Sequence, residues 1–248
     1  LNGVYIRGEA GYGFGEVFAG GGDFNGDGKL DVVFGIPYYP DPANSGKVVG
    51  AALIVFGGND LVSPAGGFHI ADLVNSGRAA ILVGTNTGDL AGFNVAAAGD
   101  IDGDGKDDLL IAAPGASPRL PDGTTIGLDF NGDGKPDDLT NSGYATDLTG
   151  AGIVYVVLGS NSLVGRVRLA DIGKASLRGV ALVGRSAGDA LGGGVDALAG
   201  GIDAQGIEVD SRTRGDVDGA DAFGGGVDDR DVDAVLAAAP GEDPLAVR

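Results

Sequence analysis

The chain has 248 residues, including 50 Gly and 10 Pro, and 43% of it is hydrophobic. That is enough apolar material for a core but too much Gly for a mainly helical protein, since each interior Gly costs about 1 kcal/mol relative to Ala; many short strands joined by tight turns are expected. The net charge of −19 argues against nucleic acid or an anionic membrane surface as partner, the lack of Cys excludes disulfides and thiolate chemistry, and the single His69 excludes multi-His zinc sites.

In chain order, the first apolar run is Val4-Tyr5-Ile6-Arg7-Gly8, followed by Phe14-Gly15. An aspartate loop comes next, Asp23-Phe24-Asn25-Gly26-Asp27-Gly28-Lys29-Leu30-Asp31, and leads directly into the run Val32–Pro37. Ala52–Gly57 and Ile81–Gly84 are further short apolar runs, while Phe68–Leu73 fits either strand or helix. The pattern then restarts. Gly92-Phe93 precedes a second loop, Asp100-Ile101-Asp102-Gly103-Asp104-Gly105-Lys106-Asp107-Asp108, which enters Leu109–Pro114. A third loop, Asp129-Phe130-Asn131-Gly132-Asp133-Gly134-Lys135-Pro136-Asp137, is followed by polar residues instead of a strand. Ile153–Gly159 and Ala181–Gly184 repeat the earlier runs, Val167–Asp171 repeats the ambiguous one, and Ala234–Pro240 ends the series.

The register follows from the numbering. Gly8 and Gly84 are 76 residues apart and Asp23 and Asp100 are 77 apart, whereas Gly84 and Gly184 are 100 apart. The unit is therefore about 76 residues, and its second copy carries an insertion that holds the third loop. Short β-branched runs bounded by Gly, Asn, Asp and Pro read as strands, about four to a unit. Repeated four-stranded units of this period point to an all-β fold of β-propeller blades. The expected division is the end of one blade at 1–13, a blade at 14–91, a blade at 92–190 with an insertion at 115–150, and a partial blade at 191–248 with an acidic insertion at 203–233. Two complete blades cannot close a ring, which needs roughly four to eight. With Leu1 first and no Met, the chain reads as a processed chain or a piece of a longer propeller.

Each loop places side-chain oxygens at positions 1, 3, 5 and 9, with a backbone carbonyl available at 7. The expected metal ligands are Asp23, Asn25, Asp27, Lys29 (carbonyl) and Asp31; Asp100, Asp102, Asp104, Lys106 (carbonyl) and Asp108; and Asp129, Asn131, Asp133, Lys135 (carbonyl) and Asp137. An oxygen-only set of this size suits Ca²⁺, which accepts six to eight oxygens in irregular geometry, better than Mg²⁺. Position 12, a Glu in EF-hands, is Phe34, Ile111 and Thr140 here, so the loops are turns between strands. In the third unit the loop is degenerate: Gly201–Gly206 and Asp216–Asp221 are competing starts, with Asp231 or Asp233 as a displaced closure. Three bound ions would bring the net charge from −19 to −13.

These motifs resemble FG-GAP repeats, the blades of the integrin α-subunit N-terminal propeller and its bacterial relatives. The family motif is Phe-Gly, a calcium loop, then a strand ending Gly-Ala-Pro. Phe14-Gly15 and Gly35-Ile36-Pro37 hold those places in the first unit, Gly92-Phe93 and Ala112-Ala113-Pro114 in the second, and Leu191-Gly192 and Ala238-Ala239-Pro240 in the third. The resemblance implies a ring of about seven blades, calcium loops that brace it, and ligands bound by other loops. It further implies a non-enzymatic, extracellular or cell-surface module of bacterial origin for adhesion or for binding a protein or carbohydrate. No membrane insertion is expected, and the rest of a longer chain or further copies would complete the ring.

The alternative is an accessory or catalytic propeller of a secreted hydrolase or polysaccharide lyase. No nucleophile and base stand at a credible spacing, so no catalytic residue is assigned. His69, beside an apolar run, reads as structural. Tyr38-Tyr39 is the one candidate sugar platform, in a chain without Trp, and Arg214-Gly215-Asp216 is a tripeptide that arises easily by chance in so Gly- and Asp-rich a sequence.

Overall fold

The computed structural model describes residues 4–44, 46–58, 64–117, 149–184 and 188–193. Strands β1 (Ile6–Arg7), β2 (Phe18–Gly22), β3 (Asp31–Ile36), β4 (Pro40–Asp41), β5 (Lys47–Val48), β6 (Ala51–Val55), β7 (Phe68–His69) and β8 (Ala79–Val83) come from the first unit and the residues before it. Strands β9 (Val95–Gly99), β10 (Asp108–Ala113), β11 (Ile153–Val157), β12 (Gly165–Arg168) and β13 (Gly179–Val183) come from the second. Helix is confined to α1 (Ile70–Asn75) and two 3-10 turns at Pro42–Asn44 and Leu169–Asp171 among the described residues. The fold is all-β, as the Gly content and short β-branched runs require.

Two antiparallel meanders form the body. β2, β3, β6 and β8 make one sheet, and β9, β10, β11 and β13 make the other. The middle strands β6 (AALIV) and β11 (IVYVV) are buried at every residue. They are covered on both faces, which is why they are unbroken apolar runs and not alternating ones. The innermost strands each end in a bulge at the mouth of an aspartate loop, between Gly20 and Gly22 in β2 and opposite Asp108 and Leu109 in β9. A bulge bends and twists the strand end, and here it turns the chain into the loop.

The sheets lie face to face. Val33, Ile54 and Leu82 of the first meet Leu109, Ile111, Ile153 and Tyr155 of the second in one core cluster, with Phe24 fully buried among them. The opposite face of the first sheet is covered in part by Ile6, Tyr12, Phe14 and Leu73 of α1. These are β-propeller blades, and no closed ring forms among the described residues.

The ambiguous segments resolve in the same way in both units. Phe68–His69 is a short strand leading into α1, and β12 leads into the 3-10 turn at Leu169. Each strand pairs in parallel with the outer strand of the blade before it: β12 with β8, Arg168 opposite Val83, and β7 with β1, Arg7 opposite His69. Val4–Gly8 therefore occupies the place of an outer strand belonging to a preceding blade.

Candidate metal centre

The first two aspartate loops join the innermost strand of each blade to the next strand, and they fold alike. Asp23 Oδ1 accepts the N–H groups of Gly26 at 2.8 Å and Asp27 at 3.0 Å, and Oδ2 accepts that of Gly28 at 2.8 Å. In the second loop Asp100 Oδ1 accepts from Gly103 at 2.8 Å and Asp104 at 3.0 Å, and Oδ2 from Gly105 at 2.8 Å. Position 3 adds a bond to the same N–H: Asn25 Oδ1 to Asp27 at 2.9 Å and Asp102 Oδ1 to Asp104 at 3.2 Å. At position 6 the backbone turns left-handed, with φ of +80° at Gly28 and +85° at Gly105, a conformation that glycine adopts without a Cβ clash.

The closing aspartates are fully buried and tie each loop to the residues that follow the third strand of its sheet. Asp31 Oδ2 accepts from Phe24 N at 3.0 Å and Oδ1 from Gly57 N at 2.8 Å. Asp108 Oδ2 accepts from Ile101 N at 2.8 Å and Oδ1 from Gly159 N at 2.7 Å. Burial pushes the Asp108 carboxyl up to about 6; the two N–H bonds pull against that rise, and the charges of Asp102 and Asp100 add to it. Burial also raises Asp31, opposed by its Gly57 and Phe24 bonds and reinforced by Asp23 and Asp27.

In the second loop Asp100, Asp102 and Asp108 bring carboxylate oxygens within 4.8 Å of one another, the one such triad of acids among the described residues. The first loop holds Asn25 at the middle position, so its set is two carboxylates and an amide. Asp104 stands outside the triad. Its carboxylate is bound by Lys106 Nζ at 3.1 Å and by Arg178 at 3.4 Å, and Arg178 also pairs with Asp102. Against the desolvation it suffers, those cations hold Asp104 below the usual carboxylate range. Asp27 is bound in the same way by Lys29 at 3.2 Å. The donor set fits a hard cation: oxygens only, convergent, and with negative charge that nearby cations only partly offset. Asp129, Asn131, Asp133, Lys135 and Asp137, the degenerate third-unit loop, and Arg214-Gly215-Asp216 lie outside the described residues. His69 is half-exposed on β7, its Nδ1 3.9 Å from Glu9 Oε1.

Two acids at the sheet-to-sheet contact were not singled out from the sequence. Asp107, next to the closing aspartate, bonds to the first loop. Asp89, 3% exposed, accepts from Asn86 N at 2.7 Å, and burial pushes its carboxyl to about 6 despite backbone bonds from Asn86 and Thr85. The signal for Asp107 was the doubled Asp107-Asp108; Asp89 sits in a polar, Gly-containing turn that gives none. A carboxyl with a folded pKa near 6 and an unfolded value near 3.8 stabilises the fold while protonated. That contribution is full below about pH 4 and is lost as pH rises through about 6. Asp89→Asn, neutral at every pH, should therefore gain stability relative to wild type as pH rises from about 4 to 7. Urea unfolding of the calcium-free proteins across that range measures it, and a difference independent of pH contradicts it.

A protein of stacked four-stranded blades whose innermost turns carry acidic loops belongs to the β-propeller modules. The FG-GAP repeat pattern matches residues 14–49 and 91–126, spanning both described loops and the strands that follow them. The chain therefore carries two FG-GAP repeats. No curated protein matches it.

Proposed function

We propose that the chain is a calcium-braced, non-enzymatic module of an extracellular or cell-surface protein, bacterial in origin, that serves adhesion or the binding of a protein or carbohydrate. The observation that carries the calcium reading is the triad Asp100, Asp102 and Asp108, with oxygens within 4.8 Å, on a loop whose internal hydrogen bonds recur in the first. Asp23, Asn25, Asp27 and Asp31, with the Lys29 carbonyl, would hold one ion. Asp100, Asp102, Asp104 and Asp108, with the Lys106 carbonyl, would hold the second, and the matching residues of 129–137 a third. A bound ion supplies positive charge that removes the repulsion among the carboxylates. The chain's own part is to fix the first aspartate by three N–H groups and to bury the last beneath the end of the third strand. Both roles are structural and neither presents a reacting group. FG-GAP repeats are generally non-catalytic, which supports the non-enzymatic reading. Weak oxygen sites of this kind fill at the roughly millimolar calcium of extracellular fluids, which supports the location.

The partner that completes the propeller is a neighbouring blade, from a longer chain or from further copies. Phe18 and Val32 are 64% and 36% exposed, while their equivalents one unit on, Val95 and Leu109, are 6% and 1% exposed beneath the first sheet. The same positions are thus closed where a described blade packs over them and open where no described residue does. Ligand-binding loops are assigned to the insertions at 115–150 and 203–233, since loops on a rigid scaffold carry recognition. Calorimetric titration of calcium into chelator-stripped protein tests the metal reading. The expected result is at least two sites, one of them lost in Asp102→Asn combined with Asp108→Asn. Absence of any binding heat, with no calcium by elemental analysis, sinks it.

A further inference from the structure

Asp107 is the residue that the calcium cage does not need. It falls at position 8, between the Lys106 carbonyl and Asp108, and the first loop carries Leu30 there and the third Pro136. Its carboxylate nevertheless makes a specific contact, and that contact is with the other blade. Asp107 Oδ2 accepts the N–H of Asp23 at 2.7 Å, and the Asp107 N–H donates to the Asp23 carbonyl at 3.0 Å. Both backbone groups of the residue that opens the first loop are thus held by one residue of the second.

A parallel strut lies alongside. Ser160 N donates to the Phe24 carbonyl at 2.9 Å, and the preceding Gly159 N donates to Asp108 at 2.7 Å. Phe24 is fully buried between the sheets, and its own N–H bonds to Asp31, the last acid of the first loop. Residues 23, 24 and 31 of the first loop, 107 and 108 of the second, and the adjacent Gly159-Ser160 after β11 therefore form one short network of hydrogen bonds and peptide links. Ordering either loop around an ion orders the groups that hold the other.

The geometry points to Asp107 as a positioning residue that couples the calcium loops of consecutive blades, so that occupation of one raises the affinity of the other. This rests on the calcium reading proposed above. Coupling between sites is reciprocal, and values of roughly 5- to 150-fold are typical; a linkage through one charged and two backbone hydrogen bonds is expected to give about tenfold.

The test uses the full chain with the third loop silenced by Asp129→Asn and Asp133→Asn, titrated calorimetrically with calcium and read in parallel by terbium luminescence. Silencing the second loop as well, with Asp100→Asn and Asp102→Asn, should weaken the first by about tenfold, and silencing the first with Asp23→Asn and Asp27→Asn should weaken the second by the same factor. Asp107→Ala, with both loops intact, should weaken the first loop part of the way to the value seen when the second is silenced, because the backbone bonds from Asp107 N and Ser160 N remain. Asp107→Asn, which keeps an acceptor oxygen but no charge, should restore most of the difference, an outcome that a general loss of negative charge would not give. First-loop affinity that is unchanged when the second loop is silenced overturns the coupling while leaving the calcium reading intact, and it does so even if Asp107→Ala fails to fold. Loss of all binding in the parent protein overturns both.

Discussion

Chelation with EDTA is expected to lower the melting temperature by on the order of 10–20 °C, and excess calcium to restore it. An ion present at a hundred times its dissociation constant stabilises the folded state by about 2.7 kcal/mol per site. Two filled loops give roughly twice that, and in a domain of 150–250 residues each kcal/mol shifts the midpoint by about 2–4 °C. The structure supplies the reason for a large response. Asp31 and Asp108 are fully buried, and each is bonded to the end of the third strand of its own sheet. Leaving the loops empty places like charges a few ångströms apart at the loop ends of both sheets. Magnesium should restore less than calcium, because it demands regular octahedral geometry that an irregular loop does not offer. Scanning calorimetry with and without EDTA, alongside elemental analysis of the untreated protein, decides the matter; an unchanged melt from calcium-free protein would refute it.

The parts of this fold that were legible in the sequence are those with local causes. The aspartate loops are made by hydrogen bonds over two to five residues, such as Asp23 to Asp27 and Asp23 to Gly28, so a nine-residue spacing carries nearly all the information. The strands of each blade were legible because β6 and β11 are covered on both faces and so are continuously apolar. What the sequence concealed depends on contacts between units. β12, Gly165–Arg168, alternates half-buried and exposed residues and carries two arginines, so nothing in its composition announces a strand. It becomes one because β8 of the preceding blade offers it an edge. Phe68–Leu73 was ambiguous for the same reason, since its first two residues are strand only where β1 lies beside them. Asp107 reads as one more acid in an acidic loop, and its role depends on a residue 84 positions away.

The second large effect concerns the glycine of the Phe-Gly motif and needs no metal. Gly15 and Gly92 occupy the same place in consecutive units, 77 residues apart, and share a left-handed backbone, with φ of +86° and +78°. Their surroundings differ. A Cβ on Gly92 would fall 2.0 Å from the Ala51 carbonyl oxygen and 3.1 Å from Ile36 N, both backbone atoms of the preceding sheet, whereas a Cβ on Gly15 meets nothing within 4 Å. Gly15→Ala should therefore cost only the left-handed strain, about 1–2 kcal/mol. Gly92→Ala adds a collision with backbone that cannot rotate away, and it can be relieved only by separating the two sheets over the core built on Val33, Leu109 and Ile111. A total cost above about 4 kcal/mol is expected, in the range reserved for core overpacking combined with a forbidden backbone. Urea unfolding of both variants in saturating calcium measures the difference. Equally small losses at the two positions would mean that the sheets are not pressed together at Gly92. A large loss at Gly15 as well would mean that a further blade lies over the first sheet in solution, closing the face that leaves Phe18 and Val32 exposed.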